Sequence, residues 1–176
     1  MVWAAFGFKG QVGLAFFNGR QNSPKYIETL ETHPMPLAEN IGGRNWEYQH
    51  DNAPIHTSNA TKNYLNMNNV TVLEWPPMSP DLNPVENVWG IMSRKVYENG
   101  GQLYSVNALK TAIESAWYNL EPKILQTLIM TMEKSAYDAI LKNGRRLNYM
   151  NTNTINYKIC KILAHKNILA DYSSQL

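Results

Sequence analysis

Cysteine is nearly missing from this chain. Cys160 is the one thiol among 176 residues, which excludes an intrachain disulfide and a zinc site built on several thiolates. That usage fits a reducing compartment. Long apolar runs are missing too, since no stretch approaches the ~18 residues that a bilayer-spanning helix needs. No basic segment precedes a continuous apolar one at the N-terminus, so no signal peptide is expected. No internal repeat or low-complexity block occurs. Acidic residues are absent before Glu28. Net charge is small, +2 from 16 Lys/Arg and 14 Asp/Glu, and alone it names no partner.

What is present describes a globular domain. Hydrophobic residues make up 44% and aromatic ones 11% of the chain, enough for one domain with a substantial core. Charge is uneven. Residues 1–141 carry 10 Lys/Arg and 13 Asp/Glu, a net of 10 − 13 = −3, whereas residues 142–176 carry 6 and 1, a net of 6 − 1 = +5. The basic end is a candidate phosphate-contact region and equally an ordinary solvated tail.

Local patterning predicts alternating strands and helices. Met1 to Phe8 reads as a strand buried on both faces. It turns through Phe8-Lys9-Gly10-Gln11 into a second strand over Val12 to Phe17. Ser23 is the expected N-cap of a helix with Pro24 at its first position, and Tyr26, Ile27, Leu30 and Leu37 are its core-facing residues. Pro34 and Pro36 end that helix. A loop over Asn40 to Asn45 leads into a short strand, Trp46 to Gln49, and Pro54 stops it because proline cannot donate to a ladder. A helix over Thr57 to Met67 and a strand over Val70 to Leu73 follow. Ser79 to Pro84 is turn chemistry entering a helix that runs to about Glu98. Ser105 caps the next helix, with Val106, Leu109, Ile113, Ala116, Trp117 and Leu120 on one face. Glu121-Pro122 opens another, whose apolar stripe runs from Ile124 to Ile140 before Asn143-Gly144. Ile155 to Leu169 is expected to be a short helix or an ordered tail.

Two stretches carry chemistry. Gln49-His50-Asp51-Asn52-Ala53-Pro54-Ile55-His56 puts Asp51 at the end of a strand. Ser79-Pro80-Asp81-Leu82-Asn83-Pro84-Val85-Glu86-Asn87-Val88-Trp89 puts Glu86 in the first turn of a helix. In α/β sheets, sites gather at the carboxyl ends of strands. Taken singly, Asp51 before Asn-Ala-Pro is ordinary turn chemistry, and Glu86 is a first-turn acid favoured by the helix dipole. Taken together, they are two carboxylates suited to hard divalent cations.

These residues closely resemble the catalytic core of the mariner-superfamily (Tc-type) DNA transposases. Gln49 to His56 matches that family's "QxDNAPxH" motif, and Ser79 to Trp89 matches its "SPDLNPxENxW" motif. Their separation also agrees, 86 − 51 − 1 = 34 intervening residues. The resemblance covers Met1 to about Tyr149. It implies an α/β, RNase H-like fold, a mixed sheet flanked by helices, with a helical C-terminal part. It divides the chain into a partial catalytic domain, residues 1–149, and a C-terminal tail, residues 150–176.

By that resemblance Asp51 and Glu86 are catalytic and hold Mg²⁺ or Mn²⁺, as the second and third members of an acidic triad. Asn52, His56 and Asn87 support them, with the two asparagines orienting neighbouring carboxylates. Asp81 reads as a turn residue, and Trp75 and Trp89 as packing residues. Arg94, Lys95, Arg145 and Arg146 are candidate phosphate contacts, but the sequence assigns no DNA-binding residue.

The family's first Asp lies on a strand upstream of the hairpin that starts here at Val2. Glu28 and Glu31 stand on a helix and do not substitute for it. The expectation is therefore an N-terminally truncated domain that lacks the first, central strand and also the helix-turn-helix region. In that case the sheet either closes over the gap or stays open-edged. The implied activity is metal-dependent DNA strand cleavage and strand transfer, that is, cut-and-paste transposition with DNA integration, in a transposase/nucleotidyltransferase-type enzyme with an incomplete triad. The alternative is a non-catalytic transposon remnant that binds DNA or pairs with transposase. Implied partners are transposon-end and target DNA, a second copy, or full-length transposase, with neither a membrane nor a nucleotide cofactor. A nuclear location follows from the need for chromosomal DNA.

Overall fold

A computed structural model describes residues 1–36, 46–73, 82–98, 105–132 and 162–166. Its elements are β1 (Val2–Gly7), β2 (Gly10–Phe16), α1 (Ser23–Thr32), β3 (Glu47–Tyr48), α2 (Pro54–Thr57), α3 (Asn59–Met67), β4 (Thr71–Val72), α4 (Pro84–Val96), α5 (Val106–Tyr118), α6 (Pro122–Met130) and β5 (Ile162–Lys166).

β1 is the strand around which the layers are built, and all six of its residues are buried. Its period of two sends alternate side chains to opposite faces. Val2, Ala4 and Phe6 join a cluster with Val88, Trp89 and Met92 of α4, Leu109, Ile113 and Trp117 of α5, and Leu125 of α6. Trp3 and Ala5 join a second cluster with Tyr26 and Leu30 of α1, Tyr48 of β3 and Leu65 of α3. The uninterrupted apolar run is therefore a strand sandwiched between two helical layers, as its composition predicts.

β1 pairs antiparallel with β2 through a Phe8-Lys9 turn, with Gly7 opposite Gly10 and an irregularity between Ala5 and Phe6. Gly10 has φ +133°, a backbone conformation that only glycine adopts without strain. β2 begins at Gly10 instead of Val12 because the turn takes two residues where four were expected. On its other edge β1 pairs antiparallel with β5, with Ala4 opposite Leu163 and Ala5 opposite Ile162. Of the two readings of the C-terminal segment, a short helix or an ordered tail, this corrects the helix: Ile162-Leu163-Ala164-His165-Lys166 is a strand that covers the β1 edge. Local pattern did not show that strand, because its pairing partner lies at the opposite end of the chain.

β3 and β4 pair in parallel, Glu47 with Thr71 and Tyr48 with Val72. The crossover between them is made by α2 and α3. Two helices stand where one was expected. Pro54 stops the strand and also opens α2, and Ser58 breaks the helical run and caps α3 by accepting from the Thr61 amide. α1 likewise starts one residue earlier than predicted. Asn22 caps it, accepting from Lys25 N, and Pro24 falls in the first turn. α1 ends at Thr32, just before Pro34, and α4 ends at Val96. Ser105 and Glu121 stand at the predicted starts of α5 and α6. The expected features at Leu37, Asn40 to Asn45, Trp75, Ser79 to Asp81, Asn143 to Arg146 and Asn151 to Thr154 lie outside the described residues. So does the apolar stripe beyond Met132.

Candidate active site

The Tyr48-Gln49-His50-Asp51 segment leaves the interior at Asp51. Tyr48 and Gln49 are fully buried and His50 is 8% exposed, whereas the Asp51 side chain is 43% exposed. The strand therefore carries its carboxylate from the core to the surface. Asp51 Oδ1 accepts from Ala53 N at 2.9 Å, the local turn bond that an Asp makes with the backbone two residues on. The same oxygen accepts from His56 Nδ1 at 2.5 Å. Pro54 makes this second bond possible: it starts α2, and one turn of helix returns His56 towards Asp51. His56 is fully buried, and its Nδ1 is the donor in this bond, since an ionised carboxylate can only accept. α2 is pinned in turn by Thr61 of α3, whose hydroxyl donates to Ile55 O at 2.7 Å.

A compact group of rings lies beneath this pair. The Tyr26 and Tyr48 hydroxyls share a short hydrogen bond, and the Tyr26 hydroxyl is 3.3 Å from His50 Nδ1. His50 stacks on His56 with ring centroids 5.1 Å apart. Burial lowers the His50 pKa to about 3; the neighbouring His56 adds to that effect and Asp51 opposes it. Burial and then the Tyr48 hydroxyl push the Tyr26 phenol well above its usual range. His50 is thus a neutral ring at any ordinary pH. Gln49 is fully buried, and neither of its amide atoms has a hydrogen-bond partner among the described residues.

Glu86 stands in the first turn of α4. Asn83 caps that helix, accepting from Val85 N at 3.2 Å, and Pro84 fixes its entry. Val85, Val88 and Trp89 face the core, which leaves Glu86 half-buried and Asn87 exposed. Trp89 is fully buried, as a packing residue should be. Arg94 and Lys95 are exposed in the last turn of α4, where cations complement the helix dipole.

The structure therefore brings Asp51 and His56 into direct contact and leaves Asn52 exposed beside them. Glu86 and Asn87 are carried by a separate helix. Asp81, Trp75, Arg145 and Arg146 lie outside the described residues. Among the described residues, no group of three or more His, Cys, Asp or Glu is arranged to hold a metal ion. The donors themselves are of the right kind for a hard cation, with one carboxylate fixed by two hydrogen bonds and a second in a helix's first turn. The motif reading did not single out Tyr26, Tyr48 and His50. The sequence carries one signal for two of them: Tyr48 and His50 are two residues apart next to a strand end, the spacing that shares a face.

Residues 2–110 match the family described as DDE superfamily endonuclease. The chain belongs to that family. Its relatives are of the Tc/mariner kind. It is 36% identical over 149 residues to the Tc3 transposase of Caenorhabditis elegans, covering 85% of this chain and 45% of that one. It is 32% identical over 149 residues to the Tcb1 transposase of Caenorhabditis briggsae, covering 85% and 54%. The DDE chain thus spans about half the length of these curated relatives.

Among solved structures it is similar to the Mos1 transposase catalytic domain with raltegravir and Mg, at TM-score 0.73 and 19% identity over 84% of this chain and 76% of that one. It is equally similar in fold to the Mos1 mariner paired-end complex with Mn, at TM-score 0.73 and 18% identity over 84% and 44%. At such identities the likeness establishes the RNase H-like, mixed α/β fold.

Proposed function

We propose that this chain is the catalytic part of a cut-and-paste DNA transposase, acting on the phosphodiester backbone of transposon ends and target DNA. The observation that carries the reading is Asp51, delivered to the surface from a buried strand with its carboxylate fixed by His56 and Ala53 N, on a fold shared with transposase catalytic domains.

The reaction class is in-line displacement at phosphorus. A water or 3′-hydroxyl oxygen gives up its proton to solvent and forms a new P–O bond while the bond to the leaving 3′ oxygen breaks, and the leaving oxygen takes up a proton from solvent. Asp51 and Glu86 would hold Mg²⁺ or Mn²⁺. When bound, the cation supplies charge neutralisation at the attacking and leaving oxygens. His56 orients Asp51, since a carboxylate held by a charge-assisted bond loses less freedom when a cation arrives. Asn52 and Asn87 flank the two carboxylates. The DNA-contacting residues are unassigned; a second copy or a full-length transposase is the protein partner that the reading expects, and the nucleus is the location.

The test is nicking of supercoiled plasmid DNA in Mn²⁺ by the wild-type chain, Asp51→Ala and Glu86→Ala. Nicking by the wild type that falls at least ~100-fold in either variant is the expected outcome. Nicking that persists unchanged in Asp51→Ala sinks the reading. Retained DNA binding without nicking would identify the alternative, a non-catalytic module that binds DNA or pairs with transposase.

A further inference from the structure

Tyr26 comes from α1, an element outside both sequence motifs, yet it touches the residue that precedes Asp51 and the residue that holds it. It is 1% exposed. Its hydroxyl bonds the Tyr48 hydroxyl and lies 3.3 Å from His50 Nδ1. Its ring lies 4.3 Å, centroid to centroid, from His56. Tyr26, His50 and His56 form a triangle of rings with the remaining separations at 6.4 Å and 5.1 Å.

The consequence is geometric. The His56 bond to Asp51 Oδ1 depends on the rotation of the His56 ring about its Cβ–Cγ bond, a broad and weakly preferred torsion in a free side chain. Here that ring is bounded on two sides by Tyr26 and His50. His50 is itself held by the Tyr26 hydroxyl. The Ala53 amide also holds Asp51 Oδ1, but a backbone turn bond fixes the position of that one oxygen without setting the rotation of the carboxylate plane. A second donor on the same oxygen restricts that rotation, because a carboxylate oxygen accepts close to its own plane, and that donor is His56.

We propose that Tyr26 is a positioning residue for Asp51, acting through His50 and His56. A core role alone would require only the ring, which Phe supplies. The hydroxyl is explained by its two polar partners, Tyr48 and His50. This inference rests on the reading of Asp51 as a metal ligand.

Tyr26→Phe and Tyr48→Phe separate positioning from plain stability, because both remove the same Tyr–Tyr hydrogen bond, whereas Tyr26→Phe also removes the hydroxyl 3.3 Å from His50 Nδ1 and Tyr48→Phe keeps the ring that lies 5.0 Å from His50. The experiment uses the whole chain. Mn²⁺ is titrated into wild type, both variants and Asp51→Ala, and the imidazole rings are followed by long-range ¹H–¹⁵N spectra in the absence of metal. Tyr26→Phe is expected to weaken Mn²⁺ about tenfold, in the range seen when outer-shell partners are removed, and to shift the His50 and His56 ring signals. Tyr48→Phe is expected to bind within about twofold of wild type with His56 unshifted. His50→Asn cuts the same link from the other end and should reproduce the Tyr26→Phe loss, which keeps the test decisive if Tyr26→Phe folds poorly.

Equal effects of the two Tyr variants, or wild-type Mn²⁺ affinity in His50→Asn, overturn the inference. Unchanged binding in Asp51→Ala overturns the underlying metal reading instead. The metal-free ring signals tell those two failures apart, because they report the Tyr26–His50–His56 link directly.

Discussion

Asn69 has φ +53°, the one non-glycine residue described with a positive φ. It closes α3 in a paired motif: Val70 N donates to Leu65 O and Asn69 N donates to Asn66 O, each at 3.0 Å. Those bonds satisfy two carbonyls that the helix end would leave orphaned and turn the chain into β4. Val70 and Leu65, which flank the turn, pack in the same cluster. Asn69→Val is expected to cost ~1–2 kcal/mol, because a β-branched residue is strained in the left-handed region. Asn69→Gly should be neutral to within ~0.5 kcal/mol. Urea denaturation of both variants checks this. His50 supplies a second prediction. Its folded pKa, about 3, lies below the ordinary 6.5, so between those values the unfolded chain binds a proton that the folded chain does not. Stability should therefore fall as pH drops from about 6.5 towards 3, by up to ~1.4 kcal/mol per pH unit from this group. A His50→Gln variant should lose that part of the slope in urea midpoints measured at pH 7, 6 and 5. Residue identity was readable here to different degrees. The motif made Asp51 and His56 visible, but their bond was not, because it depends on one turn of helix after Pro54.

The helix starts of α3, α4 and α5 are local events, and their sequence signals are local too. Ser58, Asn83 and Ser105 each accept a backbone amide from the first turn, which is why an Asn or Ser before an apolar-periodic run marks those starts. α1 shows where the rule loses resolution. Asn22 and Ser23 are both good caps, and Asn22 takes the position. The C-terminal end of α5 is different in kind. There the side-chain amide of Gln11 of β2 donates to Trp117 O at 3.1 Å, a carbonyl that also accepts from Leu120 N, and to Leu120 O at 3.0 Å, just beyond the helix. No pattern near residue 117 announces a partner over a hundred positions away. Gln11→Ala should cost ~1–2 kcal/mol, chiefly by taking the side-chain donor from Leu120 O, and should raise amide exchange in the last turn of α5 more than in its first. Uniform exchange along α5 in that variant would show that the helix end is held by packing alone.

At the scale of the molecule, β1 belongs to both hydrophobic clusters and is paired on both edges. Its amides should be among the slowest to exchange in the chain. The β5 edge is testable separately. Leu163 pairs with Ala4, and proline there can neither donate to the ladder nor keep the strand's backbone freedom. Leu163→Pro is expected to speed exchange at Ala4 and Ala5 while leaving the β1–β2 hairpin protected, and to promote self-association through the uncovered edge. Protection at Ala4 and Ala5 identical to wild type would show that β5 contributes nothing to the sheet in solution.

The order of elements from β1 to α6 (apart from the break between α2 and α3), the double burial of β1 and the family followed from the sequence itself, because apolar periodicity, cap residues and two long motifs are carried by neighbours along the chain. The pairing of β5 with β1, the Gln11 bonds at the end of α5 and the Tyr26–His50–His56 group under Asp51 were decided only by tertiary structure. Each joins segments far apart in sequence, and a hydrogen bond or ring contact between such segments has no local periodicity from which it can be read.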